Sequence, residues 1–169
     1  MKKILLQTMP HTGTHTVHYL FGVLGGIEVV WHHWEKNCIP DIEILKNMDW
    51  DDFVFVRTHR DALETLKSYQ GRAVNDLAGA QYYVDCCEVF QKYSSHFPTA
   101  PIIMDLRNKG QRTLAANKIF RRCGVTPSEA AIEYMKTWKR IGSQHDEEPP
   151  AKAIKQSIHK GKVSTWHMN

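Results

Sequence analysis

The segment Pro10-His11-Thr12-Gly13-Thr14-His15-Thr16 sets hydroxyls, imidazoles and one glycine between two apolar runs. If a strand precedes it and a helix follows, its backbone N–H groups and the positive helix end can hold a phosphate, with the hydroxyls of Thr12, Thr14 and Thr16 as extra donors. The segment lacks G-x-x-x-x-G-K-[ST], so it is not a Walker A loop and has no phosphate lysine of the nucleotide-kinase kind. A second group begins at Arg57, directly after the apolar run Phe53-Val54-Phe55-Val56. A guanidinium there can grip a phosphate in a bidentate fork, and the Thr65 hydroxyl, a turn or two into a following helix, can reach the same oxygens. Asp61 has the position and chemistry of that helix's N-cap.

These groups need a scaffold that brings them to one edge. Lys3 to Thr8 reads as a buried first strand ending at Pro10 and Gly13, with a helix from near Thr14 that stops at Gly25-Gly26. Ile27 to Trp31 is a β-branched second strand, so the chain opens as a βαβ unit. Pro40-Asp41 begins a short helix, and Phe53 to Val56 is a third strand that delivers Arg57 at its carboxyl end, where open α/β sheets carry their functional side chains. Asp61 to Ala73 and Ala80 to Ser94 have helical periodicity, and Pro101 to Asp105 is a fourth strand. Arg112 to Cys123 is a helix closed by Gly124, and another runs from Thr126-Pro127 to about Trp138. Gly142 to Pro150 reads as an exposed loop before a basic tail, Lys152 to Lys162.

Composition narrows the class. One domain over residues 1–169 fits a length of 169 and a hydrophobic share of 42%. A net charge of +4 from 22 basic and 18 acidic residues is too mild to mark a nucleic-acid binder and suits a small anionic ligand equally well. Cys38, Cys86, Cys87 and Cys123 have no C-x-x-C or metal-ligand spacing and read as reduced thiols of a cytoplasmic protein. The start Met1-Lys2-Lys3 imitates a signal peptide, but Gln7 breaks the apolar run and no cleavage site follows. Tyr19 to Trp31, with Gly25-Gly26 and Glu28, is too short and too polar to span a membrane.

Three ordered blocks resemble the sulfotransferases that use 3′-phosphoadenosine 5′-phosphosulfate (PAPS). Pro10 to Thr16 is similar to that family's P-K-S-G-T-T-W loop, which cradles the 5′-phosphosulfate; His11 stands where its lysine stands, and Thr16 where its adenine-packing tryptophan stands. Arg57-Thr58-His59-Arg60-Asp61-Ala62-Leu63-Glu64-Thr65 resembles R-x-P-x-D-x-x-x-S, with Arg57 and Thr65 matching the 3′-phosphate ligands. His159-Lys160-Gly161 and Trp166 resemble R-K-G-x-x-G-D-W, which closes over the cofactor. More loosely, Ile102 to Leu106 resembles the family's strand that ends in an acidic pair.

The resemblance implies a three-layer, P-loop-like α/β fold with a central parallel sheet of about four strands flanked by helices. It also implies transfer of a sulfonate from PAPS to a hydroxyl or amine, leaving 3′,5′-adenosine bisphosphate. The base is then His33, His32 or Glu35, and His11 supplies the cation for the leaving charge. The cofactor would meet His11, Thr12, Gly13, Thr14, His15 and Thr16 at one end, and Arg57, Thr65, His159, Lys160 and Gly161 at the other. The acceptor is an unidentified small molecule or glycan. So short a chain leaves its recognition to the Tyr69 to Phe97 helices or to a second subunit in a homodimer.

Plainer readings stand beside these. Most histidines are neither bases nor ligands, and Trp31, Trp34, Trp50 and Trp138 suit packing better than base stacking. Lys152, Lys155, Lys160 and Lys162 could be a solvated face. Asp105 imitates a Mg²⁺-binding Walker B aspartate, but without the loop lysine no metal is expected. The rival classes are a nucleoside or nucleotide kinase, which needs Mg²⁺ and ATP, and a non-catalytic nucleotide-binding module.

Overall fold

A computed structural model describes residues 1–9, 12–33, 47, 49–71, 73–94, 100–138, 154–159 and 162–167. Six strands form one sheet in the order β4-β3-β1-β2-β5-β6. They are β1 (Lys3–Thr8), β2 (Val29–His33), β3 (Phe53–His59), β4 (Ile102–Asp105), β5 (Ile154–His159) and β6 (Lys162–His167). Neighbouring strands from β4 through β5 pair in parallel, and β6 returns antiparallel to β5. The four expected strands are all present. The basic tail, read as a charged face or lid, instead contributes the last two as a hairpin.

Helix α1 opens with Thr14–Val17, continues in wider π-type turns over His18–Leu24, and gives way at Gly25 and Gly26. The others are α2 (Ala62–Gln70), α3 (Asp76–Tyr93), α4 (Lys109–Cys123) and α5 (Glu129–Thr137). Each starts where a short polar side chain accepts from its first-turn N–H groups: Asp61, Asn75, Asn108 and Ser128 in turn. The expected cap at Asp61 is thus in place, accepting from Leu63 N at 2.9 Å and Glu64 N at 3.1 Å. None of these helices is long and apolar enough to cross a membrane.

Strand alternation splits the core into two layers around the sheet. Ile4, Leu6, Val54, Val56, Ile102 and Met104 pack against α1, α4 and α5, with Phe21 and Phe120 rings 4.9 Å apart. Leu5, Val30 and Phe55 point the other way, against Val89 and Phe90 of α3. Helices therefore cover both faces, which is why β1, β3 and β4 carry consecutive apolar residues, Ile4 to Leu6, Phe53 to Val56 and Ile102 to Met104. Pro40-Asp41 and the Gly142 to Pro150 loop lie outside the described residues.

Burial in the first layer has a consequence at high pH. The Cys123 thiol is pushed up by burial from 9.0 to about 11. Burial likewise takes the Tyr134 phenol from 10.0 to about 12, against the opposing hydrogen bond from Thr16. Both stay protonated in the folded chain at a pH where the unfolded chain has begun to ionise, so their contribution is full below the unfolded values and is lost as pH rises through the folded ones. Urea midpoints should fall between the Cys123 limits of 9.0 and about 11, and Cys123→Ala should flatten that fall; parallel curves would contradict the assignment.

Candidate functional site at the carboxyl edge of β1 and β3

The chain leaves β1 into α1 on one face of the sheet and leaves β3 into α2 and α3 on the other. Two adjacent parallel strands whose connections part in this way open a crevice beyond their carboxyl ends, where α/β proteins bind ligands. Gln7 pairs with Arg57 in the β1–β3 register. Alternation sends Gln7 and Arg57 to the α3 face, and Thr8 and Thr58 to the α1 face.

On the α1 face three threonines meet. Thr8 Oγ1 lies 2.5 Å from Thr12 Oγ1 and 2.5 Å from Thr58 Oγ1, and Thr12 and Thr58 are 2.8 Å apart. Thr8 and Thr12 also donate to the Met9 carbonyl, at 3.1 and 2.6 Å. With those two protons on Met9, Thr58 has the proton left to give to the triangle. The network ties the loop to both strand ends. Thr58→Val should lower unfolding stability by about 1–2 kcal/mol, the usual worth of a buried neutral hydrogen bond and the partners it leaves behind. Chemical denaturation would measure it, and an unchanged midpoint would show that the triangle holds nothing.

Gly13 ends the loop at φ 93°, a left-handed conformation, and a Cβ there would sit 1.9 Å from Leu106 Cδ1 in the turn after β4. Its carbonyl accepts from Thr16 N at 3.1 Å. No side chain among the described residues caps this helix start, unlike those of α2 to α5. Its uncapped end keeps the electrostatic preference for an anion.

Arg57 lies on the opposite face. One guanidinium nitrogen, Nη2, donates to Gln7 Oε1 at 2.9 Å, and the plane stands 4.6 Å from the Phe90 ring centre. Its Nε is buried with no hydrogen-bond partner. Burial pulls the guanidinium below its ordinary pKa, and no carboxylate among the described residues forms an ion pair with it. Arg107, by contrast, closes both Nε and Nη2 on Asp105, at 3.1 and 2.9 Å. That pairing holds the Asp105 carboxyl well below the usual carboxylate range and occupies the residue that had imitated a Walker B aspartate. His59 Nδ1 stands 3.9 Å from the same carboxylate.

The expected site residues are partly gathered. Arg57 is not at the end of its strand but inside it, because β3 runs on to His59. Thr12 joins the threonine triangle, Thr14 is buried, and Thr16 turns to Tyr134, so the three loop hydroxyls do not share one cradle. His15, in the first turn of α1, is partly exposed. Thr65 is buried and donates to the Asp61 carbonyl at 2.8 Å. His32 and His33, expected beyond β2, are its last residues, beside Gln7 and Thr8 in register. β5 ends at His159 on this same edge, but three strands from β3, about 14 Å at roughly 4.8 Å per strand. His11, Glu35, Lys160 and Gly161 lie outside the described residues.

Gln7, Thr8 and Thr58 were not singled out from the sequence. The available signal was a glutamine inside the apolar run of β1, where a polar side chain needs a reason. Compared with models of protein families, with curated proteins and with solved structures, the chain matches none.

Proposed function

We propose that the chain is a P-loop-like sulfotransferase that uses PAPS and sulfonates the hydroxyl or amine of a small-molecule or glycan acceptor. The observation that carries this reading is Arg57, a half-buried cation at the crevice with no anionic partner among the described residues and an empty Nε donor. A charge held out of water without a counter-ion is costly unless a ligand supplies one, and a phosphate is the two-oxygen anion its fork fits. The uncapped start of α1 at the same edge fits a second anionic group.

On this reading Arg57 holds the 3′-phosphate, Thr65 turning its hydroxyl from the Asp61 carbonyl to the phosphate as it binds, and the loop from His11 to Thr16 holds the 5′ end. The resemblance adds His159, Lys160 and Gly161 as further cofactor contacts, and β5 brings His159 to the same edge of the sheet. Bound PAPS supplies an activated sulfonate and a stable leaving group, 3′,5′-adenosine bisphosphate. His33, or else His32 or Glu35, takes the acceptor proton, and His11 stabilises the leaving charge; a positioned base of this kind is worth about 10²–10⁴-fold. Support for the base comes from the β1–β2 register, which sets His33 beside Thr8 of the loop's own strand.

The test is release of 3′,5′-adenosine bisphosphate from PAPS across a panel of hydroxyl, amine and glycan acceptors, with Mg²⁺ and ATP as the control. Release that needs an acceptor supports the proposal. ATP turnover would move the chain to the kinases, and nucleotide binding without turnover to the non-catalytic modules.

A further inference from the structure

Gln7 is fully buried, yet its amide nitrogen Nε2 has no hydrogen-bond partner. Its oxygen faces Arg57, the only orientation that avoids setting donor against donor. For stability alone this is a poor choice. A carboxylate of nearly the same shape would pair with the guanidinium, as Asp105 at the end of β4 does with Arg107 in the turn after it, and would leave no orphaned N–H. A neutral oxygen does something a carboxylate cannot: it fixes the guanidinium while leaving its charge uncompensated. Departures from local stability of this kind are where function is expected.

We propose that Gln7 is the positioning residue of an oxyanion site at Arg57, holding the guanidinium against Phe90 so that its charge stays uncompensated for a phosphate or sulfate group. The glutamine is selected for being neutral. The site's existence does not depend on PAPS; the assignment of its occupant as the 3′-phosphate rests on the function proposed above.

Inorganic pyrophosphate and 3′,5′-adenosine bisphosphate, titrated separately into wild type, Gln7→Glu and Gln7→Met, test the inference, with thermal unfolding run on each variant. Gln7→Glu should unfold no earlier than wild type but bind either ligand roughly a hundredfold more weakly, because the new carboxylate neutralises Arg57. Gln7→Met, which removes the hold without adding charge, should weaken binding by about tenfold. In the wild type, the Arg57 Nε–H resonance, assigned by its absence in Arg57→Lys, should shift on saturation. This signal reads the site even if a variant fails to fold. Pyrophosphate binding without bisphosphate binding would keep the oxyanion site and sink the PAPS reading. Equal affinity in Gln7→Glu, an unmoved Nε–H signal, or no binding of either anion would overturn the role of Gln7.

Discussion

Arg57→Met should remove oxyanion binding and leave the fold about as stable as before. The two halves of that result follow from the same geometry. The side chain has no carboxylate among the described residues, so its charge contributes no ion pair to lose, while its apolar stem and its place against Phe90 pass to methionine. What disappears from the folded state is one hydrogen bond to Gln7, whose buried oxygen loses that partner, and the cost is offset by the removal of a half-buried charge. The net change should stay within about 1 kcal/mol. Binding loses its charge-assisted donors, about 2–4 kcal/mol or roughly 30- to 1000-fold in Kd. Paired calorimetric titration and denaturation would show it. A variant that unfolds easily yet binds normally when folded would make Arg57 a structural residue.

Gly13→Ala should be the most damaging single change in the loop. The positive φ alone costs an L-residue about 1–2 kcal/mol, and the methyl would sit 1.9 Å from Leu106 Cδ1, so the loop or the β4 turn must move. Together the expected loss is about 2–4 kcal/mol, accompanied by weaker nucleotide binding because the start of α1 is displaced. The two causes separate in the double variant. Adding Leu106→Ala removes the collision but not the backbone strain, so Gly13→Ala should hurt less in that background than in the wild type. A double variant showing the full additive loss would mean that the two residues do not meet.

Much of the scaffold could be read from the chain because its signals are local. The apolar runs at Lys3, Phe53 and Ile102 and the caps at Asp61 and Gly124 each depend on neighbours within a few residues. The β5–β6 hairpin was less plain, as two six-residue runs, IKQSIH and KVSTWH, with few apolar residues on either side of a Lys-Gly pair. Neither run has a clean period of two, so their lysines outweigh the strand signal. β2 is expected over Ile27 to Trp31 and runs over Val29–His33, two residues later.

The site was less legible, and for a physical reason. That Arg57 could meet an anion was arguable from its place at the end of an apolar run, but that no carboxylate among the described residues pairs with it is a tertiary fact. No local pattern says that Gln7, fifty residues away, is its neighbour, or that Thr8, Thr12 and Thr58 converge. Strand order decides both, and order depends on which connections cross the sheet and on which face.

The most direct measurement is calorimetric titration of the purified protein with 3′,5′-adenosine bisphosphate, beside adenosine 5′-monophosphate and the Arg57→Met variant. The account predicts saturable binding that needs both the 3′-phosphate and Arg57. Equal affinity for the monophosphate, or binding that survives loss of the arginine, would contradict it.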